Sequence, residues 1–249
     1  MKIRIIGVIN ILNNIAVQSI NFKFFLPIGK PKIVIDYLYS WGIDEIVILN
    51  ISRKKNNLKT FPKLIKDCFI PITAGGGISS IKDVDFLIKN GADKILINTN
   101  VSQDPQLLRD ISKKYGNQAL VVSIDVKKIR NKYVVFINSG NTKSKINLEQ
   151  TIKLAENCGA GEILINSIDR DGSQKGFDKN LFALVKKYTN LPLNICGGAG
   201  KKIHFEEIIP LKPSAICAAN FFHFKEQRVR VLKNYLSLSK NKKKIRIVN

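Results

Sequence analysis

Eight short runs of apolar, mostly β-branched residues recur along this 249-residue chain, and each is followed by a stretch with helical spacing. The runs fall at 3–10, 45–50, 70–74, 94–98, 120–125, 162–167, 193–196 and 215–219. Helical stretches lie at 31–41, 58–68, 81–90, 105–115, 148–158, 180–188, 204–209 and 224–238. Strands that are apolar throughout, alternating with helices, belong in a parallel sheet covered on both faces. With eight units, closure into a (β/α)8 barrel removes both sheet edges, and an open doubly wound sheet is the alternative. A barrel of this length is one domain, so residues 1–249 are expected to form a single (β/α)8 barrel.

The two halves resemble each other. Gly42-Ile-Asp-Glu-Ile-Val-Ile-Leu-Asn-Ile51 matches Gly159-Ala-Gly-Glu-Ile-Leu-Ile-Asn-Ser-Ile168, an offset of 159 − 42 = 117. Gly75-Gly-Gly77 pairs with Gly197-Gly198, and the strand ending at Asn10 pairs with that ending at Asp125. A duplicated half-barrel accounts for all three pairings.

Composition excludes several classes. The chain carries 41 Lys+Arg against 19 Asp+Glu, a formal charge of +22, which first points to nucleic acid. The lysines are spread along the chain, however. Only 240–246 is a dense basic run, and no nucleic-acid motif accompanies it, so a solvated surface is expected and nucleic acid is not. Four dispersed cysteines and two histidines form no zinc or redox spacing, so neither metal nor cofactor is expected. Reduced thiols, a strand-like start without a cleavage site and no apolar run of about 18 residues point to a cytoplasmic protein without a membrane segment.

Chemistry in such a barrel belongs at the C-terminal strand ends. Those ends carry Asn10, Asn98, Asp125, Asn166 and two glycine loops, at 75–77 and 197–198. Glycine loops opening onto helices expose N–H groups to phosphate, although glycines also simply turn chains. Their placement on opposite sides suggests a ligand with a phosphate at each end. The opposite ends of the strands begin with Arg4, Glu45, Lys94 and Glu162. By alternation Arg4, Lys94 and Glu162 share a face with Asn10, Asn98 and Asn166, which points them into the barrel. Two positive and two negative groups form either a paired plug or a gate over a passage along the axis.

The blocks Ile70-Pro-Ile-Thr-Ala-Gly-Gly-Gly-Ile78, Gly91-Ala-Asp-Lys-Ile-Leu-Ile-Asn-Thr99, Val121-Val-Ser-Ile-Asp125, Asp169-Arg-Asp-Gly172 and Gly197-Gly-Ala-Gly200 resemble the cyclase subunit of imidazole glycerol phosphate synthase. The resemblance spans essentially the whole chain. It implies a TIM barrel that receives ammonia from a glutaminase subunit at its bottom, in a heterodimer. The ammonia passes a charged gate and reacts with a bisphosphate nucleotide at the top. It also implies that Arg4, Glu45, Lys94 and Glu162 form the gate and that Asp93 lies near the glutaminase docking face. One phosphate site falls on Gly77, Asn98 and Thr99. The other falls on Asp171, Gly172, Gly197 and Gly198, with Asn220 where the family usually has serine.

Two departures bear on activity. The family's first strand ends in a catalytic aspartate, where this chain has Asn10, leaving Asp125 as the remaining catalytic carboxylate. An amide cannot exchange a proton near neutral pH. Asn50 likewise replaces an aspartate expected to face the substrate ribose. This pattern is similar to a second branch of the family, from bacterial surface-polysaccharide pathways. The expected function is therefore ammonia channelling to an ATP-dependent enzyme that amidinates a nucleotide-activated sugar. The alternative is a genuine histidine-pathway cyclase subunit, a lyase acting on a phosphorylated small molecule.

Overall fold

The computed structural model describes residues 2–52, 58–223 and 228–246. Its strands are β1 (Arg4–Leu12), β2 (Ile15–Ile20), β3 (Phe24–Gly29), β4 (Glu45–Asn50), β5 (Ile72–Gly75), β6 (Lys94–Ile97), β7 (Leu120–Ile129), β8 (Lys132–Ile137), β9 (Thr142–Lys143), β10 (Glu162–Ser167), β11 (Leu193–Cys196) and β12 (Ala215–Ala218). The helices are α1 (Pro31–Ser40), α2 (Phe61–Ile65), α3 (Ile81–Lys89), α4 (Asn100–Gln103), α5 (Pro105–Tyr115), α6 (Leu148–Asn157), α7 (Lys179–Val185), α8 (Lys202–Ile208) and α9 (Arg228–Ser237). Eight strands pair in parallel in the order β1, β4, β5, β6, β7, β10, β11, β12, and β12 pairs back with β1. The sheet is a closed (β/α)8 barrel. The expected second helix shortens to α2, preceded by a 3₁₀ turn at Leu58–Thr60. The first residues of the expected last helix, 224–227, lie outside the described residues.

Side-chain alternation divides the apolar residues. Ile6, Val8, Val47, Leu96, Val121, Leu164, Cys196, Ala215 and Cys217 pack together inside the barrel. Their neighbours, including Ile5, Ile9, Ile46, Ile95, Val122, Ile163 and Ile216, face outward onto the helices. Cys196 and Cys217 are thus small buried apolar groups, as their strand positions imply. Helix starts are set by local chemistry: Ser80 with Asp83, and Asn147 with Gln150, form capping boxes.

Two antiparallel hairpins extend the barrel beyond the eight expected strand–helix units. β1 continues through Asn13-Asn14 into β2, which turns at Asn21-Phe22 into β3. β7 continues through Arg130-Asn131 into β8, which turns at Asn138-Ser139 into β9. All eight turn residues have positive φ, between 45° and 66°. Each turn in the second hairpin lies 117 positions after its counterpart, 130 − 13 and 138 − 21. The duplication therefore includes the hairpins.

At the bottom of the barrel Asp44 is buried, and its Oδ2 accepts from Ile5 N at 2.7 Å while Oδ1 accepts from Lys233 Nζ at 2.7 Å. That pair ties α9 to the start of β1. The basic tail is also anchored. Ile3 and Ile245 form a parallel bridge, with Ile3 N donating to Lys244 O and Arg246 N donating to Ile3 O.

Candidate active site

The charged residues that open four of the strands meet at one level. Arg4 Nη1 lies 2.9 Å from Glu45 Oε1, and Arg4 Nη2 lies 2.9 Å from Glu162 Oε2. Lys94 Nζ reaches Glu162 Oε1 at 2.6 Å and Glu45 Oε2 at 3.5 Å. Two cations and two carboxylates alternate around the axis, so no buried charge is left uncompensated. Burial disfavours the ionised Glu162 carboxyl, but Arg4 and Lys94 together outweigh it and hold that group at about 2. The layer also contains Asn194, which accepts from Arg4 Nη2 at 3.3 Å and donates to Glu162 Oε2 at 2.7 Å. Asp93 is exposed beside Lys94, and its carboxylate accepts from Ile72 N at 2.8 Å.

Above this layer the apolar interior leads to Asp125. Its Oδ2 accepts from Asn98 Nδ2 at 3.0 Å and its Oδ1 from Asn166 Nδ2 at 3.3 Å. Burial raises the Asp125 carboxyl to about 7; the two amides resist this, and nearby Asp171 adds to it. A carboxyl poised near neutrality can take up and release a proton, as general acid–base chemistry requires. The amide oxygens of Asn98 and Asn166 are buried and have no protein partner, so each can accept from a ligand N–H or O–H. Asn10 shares the inward face of β1 with Ile6 and Val8.

The two glycine loops share a backbone form. Gly76 and Gly77 have φ of 92° and 69°, and Gly197 and Gly198 have 93° and 104°. A Cβ on Gly198 would stand 2.1 Å from Gly176 O, so only glycine fits there. Around these loops the hairpins take up groups expected to hold phosphate. Asp171 Oδ2 accepts from Ser19 Oγ at 2.6 Å and from Phe22 N at 3.2 Å. Burial raises its carboxyl to about 6, although both of these hydrogen bonds act against that. Asn220 Nδ2 donates to Ser19 O at 2.7 Å, and a Cβ on Gly172 would meet the same carbonyl at 2.8 Å. On the other side Thr99 Oγ1 accepts from Asn138 N at 3.0 Å.

Asp171 and Asn220 meet the β2–β3 hairpin through Ser19 and Phe22. One expectation needs correction. Asn50 does not share the inward parity of Glu45, Val47 and Leu49, and its Oδ1 accepts from Ser52 N at 3.0 Å. It shapes its own loop, turned away from the barrel axis. Sequence reasoning missed Asn194 as well, although its spacing from inward Cys196 marks the same face. His223 is a packed residue: Tyr37 Oη and His223 Nδ1 share a 2.7 Å hydrogen bond, and burial pushes the imidazole down to about 4. Among the described residues no group of three or more His, Cys, Asp or Glu could hold a metal ion, and no helix is long and apolar enough to cross a membrane.

A closed parallel barrel with a neutral-range carboxyl at its mouth and a charged layer beneath defines an α/β-barrel enzyme. The family profile described as "Histidine biosynthesis protein" matches residues 4–228, and the chain belongs to that family. It is similar to the imidazole glycerol phosphate synthase subunit HisF of Flavobacterium johnsoniae, 38% identical over 250 residues and 98% of each chain. The HisF subunit of Thermotoga sp. strain RQ2 is 38% identical over 237 residues, 94% of each chain. That of Sulfolobus acidocaldarius is 40% identical over 237 residues, 94% of this chain and 95% of the relative. The chain is a HisF-like cyclase subunit.

Proposed function

We propose that this chain is the ammonia-accepting subunit of an imidazole glycerol phosphate synthase, paired with a glutaminase in a heterodimer. The observation that carries this is Asp125, a buried carboxyl raised to about 7 at the barrel mouth above the charged layer. In this reading glutamine-derived ammonia enters past Arg4, Glu45, Lys94 and Glu162 and moves along the apolar interior. Asp125 then relays a proton as nitrogen adds to a phosphorylated ribonucleotide and the imidazole ring closes. Asn98 and Asn166 orient Asp125, and the glycine loops with Gly77, Thr99, Gly172, Gly197 and Gly198 receive the phosphates. Relatives named HisF support this reading more than they support a sugar-amidating pathway.

A second reading is favoured by one observation, the amide at Asn10 where a second carboxylate is expected. In that reading the barrel passes ammonia to an ATP-dependent enzyme that amidinates a nucleotide-activated surface-polysaccharide sugar. A cyclase assay with the histidine-pathway ribonucleotide and excess ammonium separates the two. Turnover supports the cyclase, with Asp125 sufficient alone. Its absence in folded protein overturns that reading in favour of ammonia delivery.

A further inference from the structure

The charged layer is not closed by its four ionic members alone. Asn194 opens the inward face of β11 and is 2% exposed. It stands between the strands that carry Glu162 and Arg4. It pairs in register with Leu164 of β10 on one side and with Ala215 of β12 on the other. Ala215 is in turn the register partner of Arg4. Because Ala215 projects only a methyl group, the Arg4 side chain can cross β12 and place Nη2 3.3 Å from Asn194 Oδ1. The other end of the same amide donates to Glu162 Oε2 at 2.7 Å.

The wall beside and above Asn194 is made of small groups: β11 and β12 contribute Cys196, Ala215, Cys217 and Ala219. Asn194 stands at the foot of this stretch of small residues.

We infer that Asn194 is a fifth gate residue, a latch that braces the Arg4–Glu162 pair from the β11 side of the layer. An amide suits this place because it accepts from a guanidinium and donates to a carboxylate at once. It does so without adding a charge to a layer already balanced. Asn194 acts through Arg4 and Glu162, so it is a positioning residue. Without it, Arg4 keeps its direct contacts to Glu45 and Glu162, but both lose the amide that braces them from the β11 side, and released ammonia escapes there.

This inference rests on the proposed ammonia route, and the test separates the two. In the complex with its glutaminase, product formed per glutamine consumed is compared for wild type, Asn194→Ala and Asn194→Leu. Rates with ammonium salt serve as the reference for the mouth. Folding defects lower both nitrogen sources together and leave the ratio unmoved. The expected result is a fall in product per glutamine, on the order of tenfold for loss of charge-assisted hydrogen bonds, in both variants. Unchanged coupling in Asn194→Ala overturns the latch. Coupling lost in Asn194→Ala but kept in Asn194→Leu also overturns it, because side-chain bulk then suffices. If wild type uses ammonium but not glutamine, the route itself is wrong. If it uses neither, the cyclase reading fails.

Discussion

Arg4 grips Glu162 through two parallel hydrogen bonds, Nη1 to Oε1 at 3.2 Å and Nη2 to Oε2 at 2.9 Å. This bidentate geometry is the strongest form of a guanidinium–carboxylate contact. The Glu162 carboxyl sits at about 2, against an ordinary value of 4.5, because its cations outweigh the burial that opposes ionisation. Its folded-state value is depressed, so the stabilisation is complete above about 4.5 and is lost as pH falls towards about 2. Urea unfolding across that window should show a steeper loss of stability in wild type than in Glu162→Gln. Equal slopes would show that the pair contributes nothing to acid resistance.

Asp125 carries the opposite sign. Burial first, with help from Asp171, raises its carboxyl from 3.8 to about 7. Its protonated form is favoured by the fold, so stability is lost as pH rises from about 4 through about 7. Asp125→Asn should therefore unfold at higher urea than wild type at alkaline pH, by on the order of 2–4 kcal/mol. The same substitution should cut ammonium-dependent cyclisation about 10²–10⁴-fold. A variant that is both stabilised and active would remove Asp125 from the chemistry.

The third prediction concerns Asn10. Asn10→Asp places a second carboxyl on the inward face of β1 and restores a proton carrier there. Under the cyclase reading, ammonium-dependent turnover should rise, by up to about 10²-fold. A rate that stays at wild-type level would show that the mouth no longer performs ring closure, which is what the ammonia-delivery reading expects.

Asp44 is the most demanding buried charge at the barrel bottom. Its side chain is 0% exposed and that of Lys233 is 8% exposed. Removing one partner leaves the other uncompensated, so Lys233→Met should cost about 3–5 kcal/mol in urea unfolding. The double variant Asp44→Asn/Lys233→Met should recover part of that loss. A double variant worse than the sum of the singles would contradict this account.

The barrel was legible because apolar strands of four to eight residues alternating with helices require a covered parallel sheet, and eight such units close most economically into a cylinder. The limits of β4, β10 and β11 follow directly from the sequence runs. The ionic layer was legible because a charge opening an apolar strand must find a partner. The hairpins were not. Their turns use Asn13-Asn14, Asn21-Phe22, Arg130-Asn131 and Asn138-Ser139, without the Asn-Gly or Asp-Gly pair that marks such turns. Asparagine tolerates positive φ well enough to hide a hairpin in an asparagine-rich chain. Asn50 was misplaced because parity was not carried along β4 from Glu45. Asn194 was passed over because a lone amide in a short apolar strand carries no motif.

The hairpins change how the mouth of the barrel behaves. Asn10 is paired at once with Leu49 of the barrel wall and Val17 of the first hairpin. Asp125 is paired with Asn166 of the wall and Phe136 of the second. Each residue thus has one neighbour from the cylinder and one from a hairpin laid on it, so the backbone beneath each side of the mouth is fixed from both edges. A mouth braced twice in the same way, by segments 117 positions apart, gives Asn10 and Asp125 equivalent backbone settings in which only the side chains differ.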